Sequence, residues 1–303
     1  MSEQIIRYMT PAVTPLLPSG EIDLNSCNDL YRHLVNGGVD GVLILGSIGE
    51  FFGFTVEQKK TLINRAAEVI GGHRKLIVGT TSMIFDEIVE LSNYALGKDV
   101  DGVMIIPPYY FHFTDESVFE YYDTIANEIH GNVYLYNFPE RTGYGISPSV
   151  VRKLALKHKN IIGIKDTISG VDNTRELVKQ VKSVRPEFEI YSGFDDNFAH
   201  NVLCGGNGCI AGLSNLYPEL TSAWANALRN SDLQKAAECQ QKIDRLMDIY
   251  SVGKPFVPFI KAALASKGII AHAAATKPMP AATAEQLAKL NKIMEEYENG
   301  KNN

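Results

Sequence analysis

Short apolar, β-branched runs recur along the chain at fairly even spacing. They are "YMTPAVTP" (8–15), "VDGVLILG" (39–46), "KLIVGT" (75–80), "VDGVMIIPP" (100–108), "NVYLYN" (132–137), "IIGIKD" (161–166), "FEIYSG" (188–193) and "GCIAG" (208–212), eight in all. Most neighbours start roughly 25–35 residues apart, the length of a strand plus a crossover helix. The stretches between them carry helical signals. "DLNSCNDLYRHLVNGG" (23–38) offers Asp23 as N-cap, apolar Leu30, Leu34 and Val35, and a Gly-Gly stop. "TVEQKKTLINRAAEVIGG" (55–72) repeats the design, with Thr55 as cap, Gln58 three residues on and Gly71-Gly72 at the end. "SPSVVRKLALKHKN" (147–160) starts with Ser147 as cap and Pro148 at the first helical position.

Helix–"GVDG"–strand at 37–45 and helix–"DVDG"–strand at 99–106 look like copies of one unit. Strands alternating with helices imply a parallel sheet buried on both faces. Eight such units imply closure into a (β/α)8 TIM barrel, which removes every edge strand. An open doubly wound sheet is the alternative, and no G-x-G-x-x-G follows the first strand to favour it. Beyond the eighth strand the pattern turns helical, with "LQKAAECQQKIDRLMDIY" and "TAEQLAKLNKIMEEYE". The expected organisation is an α/β barrel over residues 1–229 and a C-terminal helical appendage over 230–303, packed on it.

Composition narrows the class. The 303 residues are 45% hydrophobic and 21% charged, ordinary for a globular protein, and the formal net charge is −6. With no basic excess and no basic run, nucleic acid and anionic membrane surfaces are poor partners. No apolar run approaches the roughly 18 residues of a membrane helix. The N-terminus lacks a basic stretch followed by an apolar segment, so the expected compartment is the cytoplasm. Cys27, Cys204, Cys209 and Cys239 form no C-x-x-C and read as thiols in a reducing compartment. The seven histidines are scattered without H-E-x-x-H, so no metal site is expected.

A barrel of this type places its active site at the C-terminal ends of the strands. Those ends carry "GSIGE" (46–50), "PPYY" (107–110), "YNFPERTG" (136–143), "KDT" (165–167) and "SGFDD" (192–196). Side chains alternate along a strand. If Ile162 and Ile164 face the helices, then Ile161, Gly163 and Lys165 face the barrel interior, with Lys165 at its mouth. Burial disfavours an ammonium, and a neutral amine in a dry site attacks carbonyl carbon. A lysine at a random strand end more often snorkels to solvent. In "NVYLYN" Tyr136 shares a face with Tyr134 and sits near the level of Lys165 one strand away, where a phenol can shuttle protons; core packing is the plainer role for it.

"GSIGE", "YNFPERTG" and "GIKDT", in this order and spacing, resemble the pyruvate-dependent Schiff-base (class I) aldolase superfamily. Its members include N-acetylneuraminate lyase, dihydrodipicolinate synthase and 2-keto-3-deoxygluconate aldolase. The likeness runs from "TPAVTP" to "GGNGCIAGLSN". It implies an enzyme, a lyase without cofactor, whose Lys165 forms a covalent imine with the 2-oxo group of pyruvate or its adduct. It makes Tyr136 the general acid/base. It gives the pyruvyl carboxylate to Ser47 and the backbone around Ile48 and Gly49; the family usually has Thr where Ile48 stands, which removes one hydroxyl. Tyr110 resembles the family tyrosine that reaches a neighbouring subunit's site, which implies a homo-oligomer, commonly a dimer of dimers.

The aldehyde partner divides the signals. Arg141 resembles the arginine with which dihydrodipicolinate synthases grip the carboxylate of aspartate semialdehyde, and an Arg fork suits a carboxylate. Asp166 and Thr167 after the lysine, and "SGFDD", instead resemble the sugar acid enzymes. There Thr167, Gly193, Asp195 and Asp196 would line a polyol chain, although a helix N-cap and first turn would also account for the two aspartates. A 2-keto-3-deoxy sugar acid lyase is therefore expected, with 4-hydroxy-tetrahydrodipicolinate synthase second and N-acetylneuraminate lyase third. Two other classes stand beside it. One is a phosphate-binding barrel using "GGNG" (205–208), which precedes the eighth strand and so belongs to the wrong face. The other is a non-catalytic 2-oxo acid sensor, disfavoured by the presence of both Lys165 and Tyr136.

Overall fold

The computed structural model describes residues 4–300, so the first and last three residues of the expected barrel and appendage lie outside it. Among the described residues, eight strands pair in parallel and close into a barrel in chain order, the last beside the first. They are β1 (Arg7–Pro11), β2 (Gly41–Ile44), β3 (Lys75–Gly79), β4 (Gly102–Ile105), β5 (Val133–Asn137), β6 (Ile161–Asp166), β7 (Glu189–Ser192) and β8 (Gly208–Ile210). Each lies within or one residue from an expected run. The TIM barrel is thus the fold, and closure explains why these strands are apolar on both faces.

The capping signals act as expected. Asp23 accepts hydrogen bonds from the Asn25 and Ser26 N–H groups and starts the helix Leu24–Asn36. Thr55 and Gln58 form a reciprocal capping box at Val56–Ile70. Ser147 caps Pro148–Lys157. The two copies of the "VDG" unit do the same work: Asp40 accepts from the Tyr8 N–H at 2.8 Å, and Asp101 from the Leu76 N–H at 2.7 Å. Each aspartate fixes the start of a neighbouring strand. The "GGNG" loop lies at the opposite end from the strand C-termini, where Asn207 accepts from Lys182 Nζ and the Ile190 N–H.

One expectation about strand faces needs correction. Val133 pairs with Ile161 but Tyr134 pairs with Gly163, so β6 carries a bulge at Ile162. Ile161 therefore shares the outward side of Val133 and not the side of Lys165. From Gly163 onward the alternation holds, and Tyr136 pairs with Lys165.

Beyond Pro218–Arg229 come the helices Leu233–Leu246, Val257–Ser266 and Ala284–Asn299. Their apolar faces, among them Ile243, Leu246, Ile260, Leu264 and Leu290, join the same hydrophobic cluster as the barrel. No helix among the described residues is long and apolar enough to cross a membrane.

The bottom of the barrel interior is polar yet fully paired. Glu189 accepts from Arg7 Nη1 at 2.8 Å, Lys75 Nζ at 3.1 Å, and the hydroxyls of Tyr134 and Tyr191 at 2.7 and 2.8 Å. Burial alone would raise the Glu189 carboxyl pKa, but Lys75, Tyr134 and Arg7 outweigh it and hold the group below the usual carboxylate range. Replacing Glu189 by Gln removes the central charge and strands two cations, so we expect a loss of about 3 kcal/mol at neutral pH by urea unfolding. A carboxyl with a depressed folded pKa stabilises only while ionised. The gap between wild type and variant should therefore be full above the unfolded carboxyl's pKa and shrink as pH falls through the folded value.

Candidate active site

At the opposite end of the barrel the interior opens into a cavity of about 760 Å³. Its floor is the paired end of β5 and β6. Lys165 is 4% exposed, so its amine sits inside the barrel and not in bulk water. Its Nζ donates to the Tyr136 hydroxyl at 3.2 Å and lies 4.4 Å from that ring's centroid. The Tyr136 hydroxyl in turn shares a 3.3 Å hydrogen bond with Ser47 Oγ. An amine, a phenol and a hydroxyl thus form one chain across β6, β5 and the turn after β2. The sequence placed Ser47 only on the carboxylate; its contact with Tyr136 is an addition.

The turn at 46–50 faces this chain. Ile48 lines the cavity. Among the described residues, the backbone N–H groups of Ser47, Ile48 and Gly49 have no protein acceptor. Gly49 itself is not part of the wall, and its carbonyl accepts the Thr14 hydroxyl at 2.7 Å. Three successive free N–H groups suit an anion.

Thr167 follows Lys165 past the end of β6. It is buried, lines the cavity, and its hydroxyl has no hydrogen-bond partner. A buried unsatisfied hydroxyl is costly unless a ligand completes it. Gly193 makes the space: a Cβ there would collide with Thr167 Oγ1. The two aspartates of "SGFDD" behave differently from the expectation. Asp195 touches the cavity, but its carboxylate is already held by the hydroxyls of Tyr8 and Tyr250 and by the Leu213 N–H. Burial pushes that carboxyl up, against those hydrogen bonds. Asp196 is exposed and outside the cavity wall, at the first turn of a short 3-10 helix.

Arg141 stands at the rim, its guanidinium 5.4 Å from the Phe138 ring centroid and without a carboxylate partner among the described residues. Glu140 lines the same rim. Tyr110 is 89% exposed, so within one chain it does not complete the site; its neighbour Tyr109 is the tyrosine that lines the cavity.

This geometry meets a family match over almost the whole chain: the model of the "Dihydrodipicolinate synthetase family" covers residues 4–297. The chain belongs to that family. As a dihydrodipicolinate synthetase family member it is an enzyme, a lyase of the aldolase type on a TIM barrel. It is 35% identical to the probable 2-dehydro-3-deoxy-D-pentonate aldolase YjhH of Escherichia coli, over 91% of each chain. It is 36% identical to a 4-hydroxy-tetrahydrodipicolinate synthase of Kosmotoga olearia, over 80% of this chain and 82% of the other. The crystal structure of YagE, a prophage protein of this family from E. coli K12 in complex with pyruvate, superposes with a TM-score of 0.93. That likeness is at 30% identity and covers 97% of this chain and 98% of the other.

The residues missed from sequence lie on the far wall of the family fold. Tyr250, Lys254, Phe256 and Val257 reach the cavity from beyond the barrel helices. The density of aromatic and proline residues in "GKPFVPF" (253–259) is the one local cue to them. Because Gly193 exists to admit the Thr167 hydroxyl, Gly193→Ala should push Thr167 from its seat. We expect a KM rise of about tenfold for the cleaved substrate with a stability loss of about 1–3 kcal/mol, read from steady-state kinetics and thermal unfolding.

Proposed function

We propose that this enzyme cleaves a 2-keto-3-deoxy sugar acid to pyruvate and a hydroxyaldehyde through an imine on Lys165. The observation that carries the reaction type is the Lys165–Tyr136–Ser47 chain at the floor of the cavity. The amine attacks the 2-oxo carbon, and loss of water leaves a protonated imine. Tyr136 accepts the proton of the C4 hydroxyl while the C3–C4 bond breaks. Its electrons pass into the imine as an enamine, and the aldehyde leaves. Protonation of the enamine at C3 and hydrolysis release pyruvate and restore the amine. Ser47, next in line, passes protons to and from Tyr136. The free N–H groups of Ser47 and Ile48, both in the cavity wall, receive the substrate carboxylate, with Gly49 shaping the turn behind them. No cofactor enters this scheme.

Thr167 favours a polyol chain over other aldehydes, since its unsatisfied hydroxyl needs a partner that a sugar hydroxyl provides. Asp195 and Asp196 are withdrawn from that role. The runner-up is 4-hydroxy-tetrahydrodipicolinate synthase, supported by the unpaired guanidinium of Arg141; Glu140 on the same rim weakens its pull on a second carboxylate. N-acetylneuraminate lyase stands third. Exposed Tyr110, packed edge-on against exposed Phe111 at 5.1 Å, fits a residue that enters a second copy's site, so we propose a homo-oligomer, a dimer of dimers. The division into barrel (1–229) and appendage (230–303) is proposed with it, as is a cytoplasmic location, in keeping with four unpaired cysteines.

Borohydride reduction with pyruvate should add covalent mass at Lys165, and Lys165→Met should abolish both that adduct and turnover. Tyr136→Phe should lower kcat by about 10²–10⁴-fold. Pyruvate release from 2-keto-3-deoxygluconate supports the sugar acid assignment; condensation of pyruvate with aspartate semialdehyde, without sugar acid cleavage, overturns it. Arg141→Ala should be mild for the first reaction and severe for the second.

A further inference from the structure

The turn at 46–50 is held from behind by a device that does not touch the cavity. Glu50 closes the turn in the left-handed region, at φ 57° and ψ 38°. A side-chain-bearing residue there costs about 1–2 kcal/mol and persists only when its surroundings require it. Glu50 points away from the pocket and is fully buried, as is Lys261 on the helix Val257–Ser266, with which it forms an ion pair. The second carboxylate oxygen accepts the Thr276 N–H at 2.7 Å, and Lys261 Nζ donates to the Ala274 carbonyl at 2.8 Å. On the other side Thr14 holds the Gly49 carbonyl. Just past the turn the packing is tight: a Cβ on Gly53 would come within 2.5 Å of Thr276. The start of the Lys261 helix, Val257, is itself cavity wall. One helix therefore shapes the pocket with its first residue and grips the turn with a residue one turn on.

A pair this deep is not needed for stability alone, because two apolar side chains hold a helix in place at least as well. What an ion pair adds is direction: it fixes the carboxylate, and with it the backbone twist at residue 50. We propose that Glu50 and Lys261 are positioning residues that keep the Ser47 and Ile48 N–H groups aimed at the carboxylate of a 2-oxo acid. Carboxylate recognition in this barrel is thereby set from its C-terminal helices. The proposal rests on the imine chemistry argued above for Lys165.

The test compares borohydride trapping of pyruvate with trapping of its uncharged methyl ester. Glu50→Gln keeps the shape and removes the charge. It should raise the pyruvate concentration for half-maximal trapping about tenfold and change the ester by less than about twofold. In sugar acid cleavage the loss should fall on KM and not on kcat. Glu50→Gln leaves Lys261 buried and unpaired, so the double variant Glu50→Gln/Lys261→Met, which removes both charges, is measured beside it and should lose the same preference for pyruvate. Lys261→Arg keeps the charge with a different reach and should restore part of that preference. A folded Glu50→Gln or double variant with the wild-type pyruvate-to-ester ratio overturns the proposal, as does a folded Lys261→Arg that loses the preference as fully as Glu50→Gln. So does an equal loss for both ligands, which marks a merely structural pair. Wild-type protein that traps neither ligand on Lys165 instead overturns the imine chemistry, and is read separately.

Discussion

Closing eight parallel strands into a ring leaves no freedom over which side chains meet inside it. Once β5 and β6 pair with Tyr136 opposite Lys165, and the ring shuts, the amine has no route to water except through the cavity. A lysine at the end of an open sheet could swing outward along its own stem. Here the walls hold it at hydrogen-bonding distance from a phenol. The chemistry available to the chain follows from that constraint: an amine beside a proton carrier, at the bottom of a pocket roomy enough for a six-carbon acid.

The two ends of the interior solve opposite problems. At the N-terminal end, Arg7, Lys75, Glu189, Tyr134 and Tyr191 satisfy one another, and the network closes the barrel. At the C-terminal end, groups are left without partners: the Thr167 hydroxyl and the N–H groups of the 46–50 turn. Buried polar groups normally find partners. Polar saturation below and polar deficit above support the C-terminal end as the proposed ligand site, independently of any motif.

Much of this was legible in the sequence because the signals are local. The period of the strands, the caps at Asp23, Thr55 and Ser147, and the pairing level of Tyr136 and Lys165 all depend on residues close in the chain or on neighbouring strands. Three features were not legible, each for a physical reason. The bulge at Ile162 is set by how β6 registers against β5, so Ile161 changed sides without any local mark. Asp195 looked like a free acceptor, but Tyr8, the Leu213 N–H and Tyr250, from the first strand, the loop after β8 and the C-terminal segment, already engage both its oxygens. The far wall comes from "GKPFVPF", which has no strand or helix period of its own to place it over the barrel mouth.

These long-range contacts also bear on which aldehyde fits. Asp195, with both carboxylate oxygens engaged, braces β1, the loop after β8 and Tyr250. On the proposed reading, specificity beyond the pyruvyl end falls to few groups: Thr167 deep in the pocket, and Arg141, Glu140 and Lys254 near the mouth. A second carboxylate would draw on the rim cations against the opposing charge of Glu140, in a solvated setting where such attractions are weak. A hydroxyl on the carbon next to the breaking bond would meet Thr167 where water is scarce and an unmade hydrogen bond is expensive. The deeper, drier contact would discriminate more strongly, and the proposed sugar acid assignment rests on it.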